Sequence, residues 1–526
     1  MSFITRMAPR MGNSSASARL AAAKRHLSSS APVMAVNSGG ADVGIKLNAD
    51  TDHILYESAG STRIYKLNRP KALNSLDWDM IASLAKQGEV WRQSELCKLV
   101  IGRGDERAFC AGGDVVGLVK LRPDYGAKYP LGFFKDEYQV NWEIARLGKP
   151  YVCIIDGFTM GGGAGISLPA QIRVATKKTV FAMPETKIGF APDVGGNYYI
   201  AQLDGEIGAW LAMTGQEVWG RAVYELGLAT HYVEPDAIPS LVEALSQLEN
   251  PTLEQLNNIV TSYHVPAPEG AAVSSKGSRE GPSPITGEIR AFLDKTFGLA
   301  SIQEIYAALQ AAQTDSALSQ EIKDWAKAQK DIMDLRSPTG MAVALENFKV
   351  TRKAQNLKVA LENDMLMSTG FCGTDRPTPE FDTGVSYLLI EKGRERANWQ
   401  PSEINDPRLT PAEITKNYLD PNTPHLAETP KLVFEPAPTS EGTDSTWGKF
   451  RQWGLPAESE IRAVVKGESA GSGAFKLKPA EVVEQVLAAR GEQGGPREKE
   501  IIAHTNAIIA ARTKADGSGY LDWAGK

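Results

Sequence analysis

Short, continuous apolar runs punctuate the first half of the chain. Residues 96–102, 151–155, 172–175 and 180–183 have the length and patterning of buried strands. The first leads to Phe109-Cys110-Ala111-Gly112-Gly113-Asp114 and the second to Met160-Gly161-Gly162-Gly163. The last leads to Met183-Pro184-Glu185-Thr186 and then Ala191-Pro192-Asp193-Val194-Gly195-Gly196. Ahead of them, residues 54–56 and 62–67 read as two strands joined by a turn and stopped at Asn68-Arg69-Pro70. Residues 76–91 follow with Met80, Ile81, Leu84 and Val90 at helical spacing. The repeating unit is two strands, then a helix whose N-terminus faces a glycine turn. That predicts a layered α/β core with its site at the strand ends.

Helical patterning takes over later. Residues 204–213 and 220–226 read as helices, and helices dominate from Thr252 onward. A Gly/Ser/Pro-rich stretch at 267–287 interrupts them and is predicted to be a flexible insertion. Helices resume over 291–358, and residues 381–390 form a last apolar element. Prolines become frequent from Pro401 to Thr446, where Glu435-Pro436-Ala437-Pro438-Thr439-Ser440 has the composition of a linker. Beyond it, Val482, Val483, Val486 and Leu487 make one apolar stripe, and Ile501, Ile502, Ile508 and Ile509 make another. The expected organisation is a leader (1–35), a core (45–290), a helical continuation (291–400), a linker (401–446) and a small helical appendage (447–526).

Composition narrows the function. With 526 residues, 42% hydrophobic and 23% charged, the chain has the make-up of a globular protein. It contains no apolar run long enough for a membrane span. Its first 41 residues lack any acid and carry Arg6, Arg10, Arg19, Lys24 and Arg25 among serines and alanines, the make-up of a mitochondrial transit peptide. Without those five cations the net charge moves from −6 to −11, which offers no general attraction to nucleic acid. Cys97, Cys110, Cys153 and Cys372 form no CxxC pair, so neither zinc nor a disulfide framework is expected. Cys110 has no histidine nearby in sequence and is read as a small packing residue.

The chemistry lies in the glycine turns and the carboxylates after them. Gly113 and Gly162 each follow a buried strand and are placed to offer one backbone N–H to a developing oxyanion. Glu185 follows a proline in an apolar context, and a carboxylate buried there is either paired or functional. Asp193 lies eight residues on. Taken singly, Glu185 could be a cap acid and Asp193 a turn former. Together with the two glycine turns they suit a reaction that charges a carbonyl oxygen and moves a proton.

These motifs resemble the enoyl-CoA hydratase/isomerase (crotonase) superfamily, and within it the 3-hydroxyisobutyryl-CoA hydrolase branch. The resemblance runs from about residue 54 to about 401. It also rests on Asn68-Arg69-Pro70-Lys71-Ala72-Leu73-Asn74, Phe133-Phe134-Lys135-Asp136-Glu137-Tyr138 and Ala229-Thr230-His231-Tyr232-Val233. It implies a crotonase-like spiral of ββα units, with a helical region and a small α-helical appendage after it. It implies that main-chain groups of Lys71, Ala72 and Leu73 contact the adenine end of coenzyme A. Gly113 and Gly162 would hold the thioester oxygen, Glu185 would act as nucleophile or base, Asp193 would assist proton transfer, and Glu137 would be a further pocket carboxylate.

Hydratases of the superfamily carry a second glutamate shortly after the triple glycine, and here that place is Gly165. Two carboxylates must flank the water in a hydration, so hydrolysis is favoured. Asp156 stands where a histidine is common and Ala191 where a bulkier residue is common; both are expected near the site. The resemblance implies an acyl-CoA substrate, no separate cofactor (coenzyme A arrives as part of the substrate), a mitochondrial matrix location in valine breakdown, and oligomers of the kind crotonase-like proteins commonly form. Similar proteins occur in the mitochondrial small ribosomal subunit, so the appendage raises a second expectation, a docking role there. Isomerisation is a third.

Overall fold

Buried parallel strands and the glycine turns that end them set the frame. The computed structural model describes residues 40, 43–105, 107–436, 447–469, 473 and 475–524. The basic leader expected at 1–35 and residues 437–446 of the expected linker lie outside them.

Strands β1 (Ile54–Ala59) and β2 (Thr62–Leu67) pair antiparallel. Helix Trp78–Gln93 follows, capped by the Asp77 side chain, which accepts from the Met80 N–H. It buries Met80, Ile81 and Leu84, but Val90 is 44% exposed. Trp91, seven residues after Leu84, continues the buried seam instead, because two helical turns return almost to the same face.

Three two-strand units come next: β3 (Leu99–Arg103) with β4 (Ala108–Cys110), β5 (Tyr151–Ile154) with β6 (Phe158–Met160), and β7 (Ile172–Ala175) with β8 (Val180–Ala182). In each unit the first strand joins one sheet and the second joins another. The larger sheet runs β1-β2-β3-β5-β7-β10, with β10 at His231–Tyr232, and is parallel from β2 onward. The smaller runs β4-β6-β8-β9, with β9 at Val218–Trp219. Alternation on the larger sheet divides the core. Leu99, Ile101, Val152, Ile154, Ile172 and Val174 face one layer, which helices Ile238–Ser246 and Leu253–Ser262 cover. Val100, Tyr151 and Cys153 face the main core on the other side.

This is the expected spiral of ββα units with a helical region after it. Residues 267–287 are not a free insertion. Ser274 Oγ donates to the Trp219 carbonyl. The Arg221 N–H and Nε donate to the carbonyls of Arg279 and Glu280, both at 2.9 Å. Composition alone hid this, because the anchors lie in another segment. Residues 401–436 also pack down. Leu409, Ile414 and Tyr418 are buried around helix Pro411–Tyr418, and Trp142 Nε1 donates to the Pro436 carbonyl at 2.9 Å.

The described residues, from Gly40 to Ala524, form one compact unit. The appendage holds helices Glu458–Val465, Pro479–Arg490 and Glu498–Arg512 and a small antiparallel pair, β11 (Thr513–Ala515) and β12 (Leu521–Trp523). Most of its two apolar stripes is buried within the unit: Val482, Val486, Leu487, Ile501, Ile508 and Ile509. Buried polar contacts tie it to the core. Arg173 stacks over the Phe450 ring at 3.9 Å and donates from Nη2 to the Phe450 carbonyl at 2.6 Å. Arg221, with no side-chain exposure, meets Glu500 at 2.9 Å, and the other Glu500 oxygen lies 2.7 Å from His264 Nε2. Arg451 meets Asp204 at 2.6 Å. Among the described residues no helix is long and apolar enough to cross a membrane.

Removing one partner of a buried pair strands the other charge, at roughly 3–5 kcal/mol. Glu500→Ala is therefore expected to lower the unfolding free energy by roughly that amount, with Glu500→Gln in between. Denaturant unfolding of the full chain checks it.

Candidate active site

The two glycine turns and the carboxylate segment meet at one cavity of about 890 Å³. Its lining includes the eight residues assigned catalytic, oxyanion or substrate roles from sequence: Lys71, Ala72, Leu73, Gly113, Glu137, Gly162, Glu185 and Asp193.

Each arrives by a local route. After β4 the chain passes Gly112 at φ +115° and reaches Gly113. After β6 it passes Gly161 at φ +48° and begins helix Gly162–Ser167. The second turn has no room for a side chain at its close approach, whereas a Cβ on Gly113 would come no nearer than 3.4 Å to Phe133. A Cβ on Gly162 would lie 2.5 Å from Glu137 Oε1 and 3.2 Å from the Gly113 nitrogen. The two N–H groups are thus neighbours, and neither is taken by a hydrogen bond among the described residues. The Gly162 N–H is also a first-turn donor with no intrahelical partner, on the positive end of a helix.

After β8 the chain makes a 3₁₀ turn, Glu185–Ile188, which delivers Glu185. A Cβ on Gly161 would lie 2.9 Å from Glu185 Oε1, so this carboxyl faces the second glycine turn. Glu137 projects from helix Lys128–Ala145. Asp193 sits at a tight corner, where Val194 (φ +54°) and Gly195 (φ +70°) turn the chain into helix Gly196–Ile200. Lys71, Ala72 and Leu73 occupy a turn held by Asn74, whose Nδ2 donates to the Ala108 carbonyl at 2.9 Å and whose Oδ1 accepts from the Arg69 N–H at 2.8 Å.

Three acids here are almost wholly buried: Glu137 at 2% exposure, Asp193 at 5% and Glu185 at 6%. Burial pushes Asp193 up to about 7, against the Tyr138 hydrogen bond that pulls it down. Burial, then the Asp193 and Asp364 charges, holds Glu185 well above the usual carboxylate range. Burial, then Asp193 and Glu185, does the same for Glu137. Glu137 Oε1 and Glu185 Oε2 have no hydrogen-bond partner among the described residues. Two free donors and two unpartnered carboxyl oxygens therefore converge on one space. That is an arrangement for polarising a carbonyl and moving a proton beside it. Arg69, Lys71, Lys187, Arg336 and Lys392 add cations to the lining.

Two expectations fail. Asp156 does not line the cavity; it accepts from the Thr176 hydroxyl and pairs with Lys178 at 3.8 Å. Ala191 is fully buried in packing and does not line the cavity either. Closeness in sequence to site residues misled in both cases, because neither residue lies on a helix or strand whose periodicity would fix its direction. Cys110 is a packing residue, its thiol pushed up to about 12 by burial. Sequence reasoning missed Asp364 and Ser368, both on helix Leu357–Cys372. It quoted Tyr138 only as part of a motif. The one local signal was the i, i+4 spacing of Asp364 and Ser368, polar residues in a largely apolar helix.

Comparison with known proteins agrees with this geometry. A model of the enoyl-CoA hydratase/isomerase family matches residues 62–416. The chain is 30% identical to small ribosomal subunit protein mS47 of Neurospora crassa, over 90% of this chain and 88% of that one. It is 34% identical to the mitochondrial 3-hydroxyisobutyryl-CoA hydrolase of Gallus gallus, over 70% of this chain and 87% of that one. The human hydrolase is 33% identical, over 71% and 91%. Among solved structures, a carnitinyl-CoA dehydratase from Mycobacterium thermoresistibile superposes with a TM-score of 0.61 at 29% identity, covering 74% of this chain and all of that one.

Position 165 is closed as well as lacking an acid. A Cβ there would lie 2.6 Å from Val194 Cβ and 2.7 Å from Asn141 Nδ2. Gly165→Glu is therefore expected to destabilise the fold by roughly 1–3 kcal/mol without conferring hydration of crotonyl-CoA. Thermal unfolding and a hydration assay check the two halves of this statement.

Proposed function

The chain belongs to the enoyl-CoA hydratase/isomerase family, and from that premise we propose that it hydrolyses an acyl-CoA thioester, 3-hydroxyisobutyryl-CoA, to the free acid and coenzyme A. The observation that carries this reading is the pair of unused N–H groups on Gly113 and Gly162 beside unpartnered Glu185, with position 165 sterically closed.

The thioester oxygen takes the two N–H groups, which stabilise the charge that develops as the carbonyl carbon becomes tetrahedral. Glu185 either attacks that carbon or takes the proton of the water that does. The C–S bond breaks, the thiolate leaves as coenzyme A and is protonated, and water supplies the oxygen of the new acid. Asp193 carries the proton between water and leaving group, or holds the substrate hydroxyl. Lys71, Ala72 and Leu73 contact the adenine end, and the lining cations face the phosphates. Coenzyme A is part of the substrate, so the reaction requires no separate cofactor. The names of the hydrolase relatives and the acid-free leader support a mitochondrial site of action, in the matrix.

One observation favours a second, compatible reading. The match to the ribosomal protein leaves only a tenth of the chain unaligned, less than the length of the 447–526 appendage, so it takes in part of that appendage. The hydrolase matches cover about 70%. This supports association with the mitochondrial small ribosomal subunit. The apolar stripes are largely spent on internal packing, so such docking would use the outer, polar surface of the appendage.

Thiol release from 3-hydroxyisobutyryl-CoA, compared with crotonyl-CoA and acetyl-CoA, tests the first reading. Selective release is expected, and Glu185→Ala should reduce it by at least about a hundredfold; release from none of the esters overturns it. Asp193 must be ionised to accept a proton, so kcat/KM should rise with pH through about 7. Co-sedimentation with small ribosomal subunits, lost on deleting residues 447–526, is the outcome expected of the second reading.

A further inference from the structure

Behind the cavity wall lies a short line of hydroxyls. Tyr138 and Ser368 are both fully buried, and neither lines the open space. Tyr138 Oη lies 2.7 Å from Asp193 Oδ2 and 2.6 Å from Ser368 Oγ. Ser368 Oγ lies 2.8 Å from the main-chain carbonyl of Asp364, one helical turn earlier. The same helix, Leu357–Cys372, clamps the Asp193 corner a second time, because Asp364 Oδ2 accepts from the Gly195 N–H at 2.8 Å. Asp364 is itself fixed by Asn347 Nδ2 at 2.9 Å.

The line has three contacts but only two hydroxyl protons, so it can be filled in one direction at a time. With Asp193 ionised, Ser368 donates to Tyr138 and Tyr138 donates to the carboxylate. With Asp193 protonated, its own O–H donates to Tyr138, Tyr138 turns its proton to Ser368, and Ser368 turns its proton to the Asp364 carbonyl. Every O–H has an acceptor in both arrangements. In a buried place this matters, since an orphaned donor costs its full desolvation.

We propose that Tyr138 and Ser368 are positioning residues that form a reversible hydrogen-bonded chain, turning one way when Asp193 is ionised and the other way when it is protonated. No proton leaves the chain: Tyr138 and Ser368 each keep their own and only rotate it, while Asp193 keeps the one it has taken. A single carboxyl can then accept a proton and later give it back without either state being left unsatisfied. The proposal rests on Asp193 as the proton carrier of the hydrolysis proposed above, but the chain itself can be read out without turnover.

The groups facing Asp193 are Glu137 and Tyr138 from helix Lys128–Ala145, Glu185 from its 3₁₀ turn, and Asp364 from helix Leu357–Cys372. The three carboxyls oppose its ionisation when charged, and Tyr138 favours it.

Infrared pH titration of the full chain tests this through the C=O stretch of protonated Asp193, assigned by its loss in Asp193→Asn. Tyr138→Phe costs each form two hydrogen bonds, but only the ionised form loses a charge-assisted one, so the midpoint should rise by about one pH unit. Ser368→Ala costs the ionised form one hydrogen bond. It costs the protonated form two and leaves the Tyr138 O–H without an acceptor, so the midpoint should fall by about half a unit. Shifts of opposite sign support the chain. Unchanged midpoints, or two shifts in the same direction, overturn it, as does either variant alone moving against its stated sign. A chain that shows these shifts but releases no thiol would overturn the hydrolase reading and leave this one standing.

Discussion

Burial of Glu137, Glu185, Asp193 and Asp364 within reach of one another is the constraint the rest of the structure answers to. A carboxylate loses its hydration on burial, and each charged neighbour raises the cost again. The acids respond by holding their protons, and only directed donors allow one to ionise. Those donors are few and differ for each acid. Asp193 receives an O–H from Tyr138, Asp364 receives the Gly195 N–H and the Asn347 amide, and Glu185 and Glu137 keep oxygens with no partner. The unequal supply sets the acids apart chemically, although they share one space.

Such a site requires a scaffold that does not give. Backbone approaches carboxyl oxygens at Gly161 and Gly162 more closely than any side chain would allow. The strands that carry these turns, β4 and β6, pair with each other in the smaller sheet, so the donors cannot retreat. The opposite wall comes from the helical continuation. Helix Leu357–Cys372 holds the Asp193 corner through Asp364 and Ser368, and Leu388, Leu389 and Lys392 line the cavity from further along the chain. The ββα units alone would leave that wall open.

The spiral was legible because the buried parallel strands are largely apolar and two of the strand pairs lead into glycine turns. The cavity was legible for the same reason, since a carboxylate in an apolar, glycine-rich stretch has few explanations. What stayed hidden depends on distant pairs. Ser368 meets Tyr138 across 230 positions and Asp364 meets Gly195 across 169, separations that no periodicity reports. Residues 267–287 have the composition of a loose insertion yet are held by Arg221, a residue whose burial is visible only in three dimensions. Asp156 and Ala191 show the converse, lying near the site in sequence but facing away from it in space.

The grip of Arg173 and Arg221 on the appendage bears on how the protein is made. Chains fold as they are synthesised, N-terminal parts first. Arg173 finds its acceptor on Phe450 only 277 residues later, and Arg221 finds Glu500 only 279 residues later. Until then Arg173 has only the main-chain acceptors at Ala170 and Leu228, and Arg221 only those at Val265 and Glu280, so each buried cation still lacks its last contact. The guanidinium–ring contact of Arg173 and the ion pair of Arg221 are completed only when the appendage arrives. A segment that looks appended in sequence supplies, in the order of synthesis, the last contacts of two cations buried in the core.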